Sequence, residues 1–444
     1  MKKILILTLL LFMLNPCVHA KSLKKCIRST ISNSHIPQET VAISIKDLNT
    51  GKTVYESNEK MLMPPASVQK ILTIIPITEA LGNDYNFKTE LYSRGNSDYL
   101  IKLGADPYLT SGELESLIKN INRQNVQKIY IDNSIIESKD WGEGWQWDDD
   151  LNPDIRRFNS YNLDKNLVKI TVMPTDTNKQ AFIINPQKSP IIFFNSVLTG
   201  EKNDITISRD NITSSNTLKL EGTVNTPQIY YIPNNNLQAY FEKKLTDTLE
   251  NERIYLKSSY SKSNQKESDI KLAEISHPIS DAIDDVLVNS NNMVIETMAK
   301  LAGNKQYNKQ GTGLDGIKLF NDYCEKIGID SSVIRIVDSS GVSKNNMSNA
   351  DFISEFLLKN KDKEVIQHMA SPTQGTLSNR LIPLKDNLKA KTGTLSGIST
   401  IAGYLTTKNN HKYVFCIMIN DPKSKSSQKK NLENSIIKDM YINL

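Results

Sequence analysis

The chain is poor in the residues that cross-link, ligate or anchor. Cysteine occurs four times and histidine five in 444 residues. Cys17 falls in a leader described below, which leaves Cys26, Cys324 and Cys416. Three thiols cannot all pair within one chain, so at least one is free or bridges between chains. A Cys26–Cys324 bridge stays open, with nothing in the sequence to support it. Cys416 lies in YVFCIMI, which reads as a buried strand, so a buried and inert thiol is expected there. His35, His277, His368 and His411 each stand without a partner at ligand spacing, so no metal and no other cofactor is expected. No G-x-S-x-G elbow is present, which removes the usual setting of a Ser-His-Asp triad.

Charge of one sign is scarce as well. The formal net charge is +5, with basic residues scattered and no RNA- or DNA-binding motif, so no nucleic-acid partner is expected. Long apolar runs are missing beyond the first residues, so no transmembrane anchor is expected. At the start, Lys2 and Lys3 precede the apolar run Ile4 to Leu14, Pro16 breaks it, and Val18-His19-Ala20 offers small residues for a signal peptidase. We read residues 1–20 as a signal peptide and the product as exported and periplasmic, soluble or loosely membrane-associated. A lipoprotein signal at Cys17 is the runner-up, against which Leu14-Asn15-Pro16 is a poor lipobox.

What is present divides the chain by texture. Val41, Ile43 and Ile45 alternate, and Asn49-Thr50-Gly51 turns into a returning strand. Ser67 then opens a helix to about Leu81 that contains Pro76. From residue 86 to residue 276, short alternating runs such as KIYIDNSI and NTLKLEGTV sit between Asn, Asp and Ser clusters, with one helix-like run from Asn236 to Leu249. Helical spacing returns from Ile279 to Gly303 and from Asp351 to Leu358. KAKTGTLSGISTIAGYLTT and HKYVFCIMIN read as strands with a turn at Lys408-Asn409-Asn410, and a helix over roughly Gln428 to Tyr441 follows. The two ends look like halves of one α/β unit with a β-rich segment inserted between them.

Three short stretches carry chemistry. In PPASVQK, Ser67 and Lys70 stand three apart at a helix start, on one face and near the positive end of the helix dipole. That suits an activated serine, and it equally suits an ordinary helix cap beside an ordinary lysine. Asn289-Ser290-Asn291-Asn292 is a polar break between two amphipathic stretches, whose side chains can face a cleft. Lys391-Thr392-Gly393-Thr394 opens an expected strand, where Gly393 admits a substrate close to the backbone or simply marks a strand start.

In this order, S-x-x-K, S-x-N and K-T-G are the set found in penicillin-binding proteins and class A β-lactamases. The long gap between Ser67 and Ser290, filled by the β-rich segment, resembles the low-molecular-mass class C penicillin-binding proteins of the penicillin-binding protein 4 type. These are D-alanyl-D-alanine carboxypeptidases and endopeptidases. LGADPYLT (103–110), GWQWDD (144–149), VDSSGVSKNN (337–346) and above all KTGTLSGISTIAGY (391–404) are similar to segments of that family. The likeness is weakest over about 176–225, where the family carries a nested small domain, and NPDIRRFNSYNLDKN departs from its pattern.

The resemblance implies an α/β (α+β) penicilloyl-serine transferase/β-lactamase-like catalytic domain. This has an antiparallel sheet, flanking helices and an all-helical lobe, and carries a long β-rich insertion. The implied division is a discontinuous catalytic domain over 21–85 and 277–444 and an inserted domain over 86–276. The implied activity is a serine-type D-Ala-D-Ala carboxypeptidase, DD-endopeptidase, or both, acting on peptidoglycan stem peptides, with β-lactams as covalent inhibitors. Ser67 would be the nucleophile, Lys70 its base and Ser290 the proton relay. Asn292 would bind the substrate amide and Lys70. Lys391, Thr392, Gly393 and Thr394 would bind substrate, Lys391 also lowering the pKa of Lys70 by its charge. The oxyanion hole would be the backbone N–H groups of Ser67 and Thr394. A β-lactamase and a catalytically silent peptidoglycan-binding homologue are the alternatives, and a homodimer is left open. Trp141, Trp145 and Trp147 would either stack on glycan sugars or pack the insertion onto the catalytic domain. Asp338-Ser339-Ser340-Gly341 would either border the active site or form a plain glycine turn.

Overall fold

The computed structural model describes residues 23–124, 126–209 and 216–444. The expected leader over residues 1–20, with Cys17, lies outside them, and so do residues 210–215 of the weakly matching segment. One five-stranded antiparallel sheet runs in the order Leu388–Leu395, Ile398–Thr406, Lys412–Asn420, Val41–Asp47, Thr53–Ser57. It brings the two ends of the chain together, with Val41 opposite Ile419 and Asp47 opposite Tyr413.

Alternation along these strands decides what each face meets. Ala42, Ala402, Val414, Cys416 and Met418 pack under a helical layer formed by Gln69–Leu81, Ile279–Leu287, Asn292–Tyr307, Gly313–Lys326 and Ala350–Lys359. Ile43, Ile45, Phe415 and Ile417 face the opposite way, onto the helices Leu23–Asn33 and Ser426–Asn443. A strand covered on both faces has no polar side, which is why YVFCIMI lacks alternation. Burial of each large apolar side chain there contributes roughly 1.5–3 kcal/mol. Cys416 is fully buried and its thiol is pushed up by that burial. Cys324 is buried too, its thiol pushed up to about 12, and no disulfide joins it to Cys26 or Cys416.

The chain leaves this body at Asn86 and returns at Pro278. Between these points lies a mixed sheet in the order Ser261–Lys262, Lys128–Asp132, Asp98–Leu103, Asn86–Arg94, Ile270–Pro278. Two three-stranded sheets accompany it, one of Ile192–Thr199, Thr217–Val224 and Asp204–Arg209, the other of Gln228–Pro233, Leu167–Met173 and Phe182–Ile184. They share a second core with the helices Ser111–Ile118 and Leu237–Asn251.

Several elements differ from the sequence reading. The helix expected from Ser67 is a 3-10 turn over Ala66–Val68 followed by an α-helix over Gln69–Leu81, and the Ser67 side chain caps neither. The run after Lys389 is two strands, because Gly397 takes φ +82° in a tight hairpin turn. The helices Ser111–Ile118 and Gly313–Lys326 were not expected. Both start with a capping box, Thr110 with Glu113 and Thr312 with Asp315, a signal legible as T-x-x-E and T-x-x-D.

The inserted segment meets the helical layer through Phe87, Ala105, Ile136, Trp145, Ile155 and Phe158. Trp145 is buried and donates its indole N–H to Asp338 Oδ2 at 2.8 Å. Trp141 stands edge-on to it at 5.2 Å between ring centroids. These two tryptophans are packing residues, whereas Trp147 is 72% exposed.

Candidate active site

Ser67 is placed by a strained approach. Ala66 takes φ +48°, a left-handed conformation that costs a non-glycine residue roughly 1–2 kcal/mol. This turn points the half-buried Ser67 toward a cleft at the front of the Gln69–Leu81 helix. One turn on, Lys70 is fully buried. Its Nζ lies 2.9 Å from Ser67 Oγ, 2.6 Å from Asn292 Oδ1 and 2.8 Å from the Ser340 carbonyl oxygen. Three acceptors therefore take the three ammonium protons. An ordinary cap beside an ordinary surface lysine does not look like this.

Burial pushes the Lys70 pKa down to about 7, against the pull of the negative charges on Asp338, Glu296 and Asp154. The sequence reading made Lys391 the cause, and this is corrected: desolvation leads. Lys391 is itself fully buried and lies well below the usual lysine range, first through burial and then through the charge of Lys70. Repulsion between the two lysines falls on Lys391, beside which no carboxylate stands among the described residues.

Lys391 lies in the Leu388–Leu395 strand, at the edge of the five-stranded sheet. Its Nζ donates to the Thr392 carbonyl at 2.9 Å, and Thr392 Oγ1 donates to Thr376 Oγ1 at 2.7 Å. Gly393 is required by space: a Cβ there would overlap Thr400 Oγ1 and stand 2.9 Å from both Ala66 Cβ and the Pro65 oxygen. Thr400 Oγ1 donates to that same Pro65 oxygen at 2.8 Å, so the edge strands are tied to the segment carrying Ser67. Thr394 is exposed at the cleft.

The break between Ile279–Leu287 and Asn292–Tyr307 supplies the third side. Asn292 opens the second helix, with Asn291 capping it through Val294 N–H at 3.3 Å. Asn292 accepts from Lys70 and donates to the Asp154 carbonyl at 2.9 Å. Ser290 takes φ +66° and lines the same cleft as Ser67, Thr392 and Thr394, a space of about 510 Å³. It is brought to the cleft but not into hydrogen bonding with Ser67 or Lys70.

The sequence reading missed part of this surround. Asp154 and Arg156 belong to the NPDIRRFNSYNLDKN stretch that departs from the family pattern, yet they meet the S-x-N loop. Arg156 Nη2 donates to Asn291 Oδ1 at 2.9 Å. The Asp338 to Gly341 turn does border the site, through the Ser340 carbonyl. Gly341 has φ +82°, and a Cβ there would overlap the Ala66 carbonyl, so the turn is both a glycine turn and an active-site wall. Thr376 and Glu296 carry no local sequence signal at all.

A profile of the D-Ala-D-Ala carboxypeptidase 3 (S13) family matches residues 23–438. The chain is 24% identical to the D-alanyl-D-alanine carboxypeptidase DacB of Haemophilus influenzae, over 90% of this chain and 91% of that protein. It is 20% identical to the D-alanyl-D-alanine carboxypeptidase of Actinomadura sp. strain R39, over 86% of this chain and 78% of that protein. Its fold is similar to the crystal structure of penicillin-binding protein 4 from H. influenzae. The TM-score is 0.82 at 22% identity, covering 94% of this chain and 99% of the other. A second crystal structure of that protein, holding a β-lactam, gives a TM-score of 0.78 at the same identity and coverage.

Proposed function

The chain belongs to the D-Ala-D-Ala carboxypeptidase 3 (S13) family, and from that premise we propose that Ser67 is the nucleophile of a peptidoglycan D-Ala-D-Ala carboxypeptidase. The observation that carries this reading is the buried Lys70 Nζ, 2.9 Å from Ser67 Oγ with a pKa near 7. A lysine that sheds its proton near neutral pH can take one from a serine hydroxyl.

Ser67 Oγ attacks the carbonyl of the penultimate D-Ala, and Lys70 receives the hydroxyl proton. The tetrahedral oxyanion is held by the N–H groups of Ser67 and Thr394. Support for that pairing comes from Gly393, whose close approach to Pro65 and Ala66 sets the edge strand alongside Ser67. The proton passes through Ser290 to the nitrogen of the terminal D-Ala, which leaves as a free amino acid. Water then attacks the Ser67 ester and releases the shortened stem peptide with its new carboxylate. Lys391, Thr392 and Thr394 receive the terminal carboxylate of the substrate, while Asn292 binds its amide. Among the described residues no strand pairs with the outer edge of the Leu388–Leu395 strand, and beyond Ala390, whose N–H is taken by the Ala370 carbonyl, that edge suits an extended peptide.

A penicillin offers the same acyl carbonyl, and its ring nitrogen stays tethered after opening, so it is taken as a covalent inhibitor. The long segment from Asn86 to Pro278 supports a two-part division, 21–85 with 277–444 as catalytic domain and 86–276 as insertion. Residues 1–20 support export to the periplasm. Among the described residues no helix is long and apolar enough to cross a membrane.

The test is product analysis by mass spectrometry. A stem pentapeptide should lose one D-Ala, and Ser67→Ala should abolish this. A cross-linked muropeptide in the same assay measures endopeptidase action. Rapid, repeated turnover of penicillin would favour the β-lactamase alternative, and no turnover of any peptide would favour the silent homologue.

A further inference from the structure

Two carboxylates lie behind Lys70, on the side away from the cleft. Asp338 sits in the turn after the short 3-10 helix Ser331–Val333, and Glu296 sits on the Asn292–Tyr307 helix. Both are buried. Neither touches Lys70. Instead both bind the backbone that does.

The peptide group joining Ser340 to Gly341 has its carbonyl oxygen 2.8 Å from Lys70 Nζ and its N–H 2.7 Å from Asp338 Oδ1. The preceding N–H groups of Ser339 and Ser340 both donate to Glu296 Oε1, at 2.9 and 2.7 Å. The Ser340 carbonyl is therefore clamped from two directions. A carboxylate accepting from a peptide N–H also polarises that peptide and strengthens its carbonyl as an acceptor. Asp338 is in turn held by Trp145 Nε1 at 2.8 Å, Ser343 N–H at 2.8 Å and Asn346 Nδ2 at 2.8 Å. The network is buried throughout, so a misplaced member would leave polar groups unpaired at a cost of about 1–3 kcal/mol each.

We propose that Asp338 and Glu296 are positioning residues, which hold the Ser340 carbonyl on Lys70 and tune the pH at which Lys70 gives up its proton. This rests on the reading of Lys70 as the base for Ser67. Four charged groups face Lys70 from the elements packed around it: Asp338, Glu296, Asp154 and Lys391. The three carboxylates favour the ammonium form and burial opposes it, while the repulsion between Lys70 and Lys391 lowers Lys391. Burial first, and then repulsion from Asp338, raises Glu296 to about 7, so near neutral pH it is only partly charged. Lys300 on the same helix works against that rise.

The sign follows. Removing a negative charge near Lys70 makes its ammonium less stable, so the neutral base appears at lower pH. Asp338→Asn and Glu296→Gln keep shape, and the Gln retains an oxygen for the Ser339 and Ser340 N–H groups. The experiment measures the rate of acylation by a fluorescent penicillin between about pH 5 and about pH 9. Mass spectrometry first establishes that the wild-type adduct is on Ser67; an adduct elsewhere would overturn the reading of the base rather than the positioning role.

With the Ser67 adduct in place, the acid limb should move to lower pH by about 1 pH unit in Asp338→Asn, and by less in Glu296→Gln. Trp145→Phe removes one donor to Asp338 but leaves both charges, and its limb should stay in place. A limb that does not move in either carboxylate variant would overturn the proposal. If Asp338→Asn does not fold, Glu296→Gln decides alone, and an unmoved limb in that variant has the same consequence.

Discussion

Lys70 Nζ lies 2.6 Å from Asn292 Oδ1, although 222 positions separate the two residues along the chain. The bond ties the helix that follows Ser67 to the helix that follows Ser290, and it spans the whole inserted segment. Asn292 is thus a structural latch between the two helices.

Asn292→Ala removes one of three acceptors from Lys70. Penicillin acylation of Ser67 should slow by about 10- to 100-fold, the effect of losing one hydrogen bond to a charged group. Asn292→Asp instead adds a negative charge at Lys70. The ammonium becomes more stable and the acid limb of the acylation profile should move to higher pH, by about 1–3 pH units. Stopped-flow labelling across pH checks both variants. An aspartate variant with the wild-type limb would show that Asn292 does not act on Lys70.

Much of this site is legible in the sequence because helix geometry is local. Ser67 and Lys70 stand three apart, and a helical turn must bring them to one face. K-T-G is legible because only glycine lets the edge strand approach Pro65 and Ala66. The S-x-N loop shows as a polar break between apolar helical stretches. Other parts have no local signature. Ala66 is a residue nobody would assign to a left-handed turn, and only the fold around it enforces φ +48°. Asp338 and Glu296 act through backbone bonds to a carbonyl that meets Lys70 across 270 positions. The electrostatic role of Lys391 was misjudged because charge is visible in a sequence and burial is not. With both lysines fully buried, desolvation outweighs their repulsion.

That correction has a consequence for ligand binding. Lys391 lies well below the usual lysine range in the free enzyme, and a bound carboxylate would raise it again. Binding of an acyl-D-Ala-D-Ala peptide to Ser67→Ala should therefore take up a proton at any pH where the free Lys391 amine is neutral, and its affinity should fall as pH rises. Calorimetry in buffers of different ionisation enthalpy reads the uptake directly. Lys391→Ala should abolish it and slow acylation of the active enzyme by the same peptide on the order of 10²-fold. A substrate amidated at that carboxylate should lose less. Equal losses on both substrates, with no proton uptake, would remove Lys391 from carboxylate recognition.

Gly393→Ala tests how the edge strand is seated. The added methyl would overlap Thr400 Oγ1 and crowd Ala66 and the Pro65 oxygen, so the strand must move away from Ser67. Overpacking of this kind costs about 1–3 kcal/mol. A lower melting temperature should accompany slower penicillin labelling. Unchanged stability and labelling would mean that the strand does not rest on the Ser67 segment.

The central claim is that Ser67, activated by Lys70, is acylated. The purified protein should be incubated with a fluorescent penicillin, digested, and the adduct located by peptide mapping. One adduct is expected, on Ser67, and it should be absent from Ser67→Ala while that variant keeps the wild-type circular dichroism. An adduct on any other residue, or labelling that survives Ser67→Ala, would contradict the account.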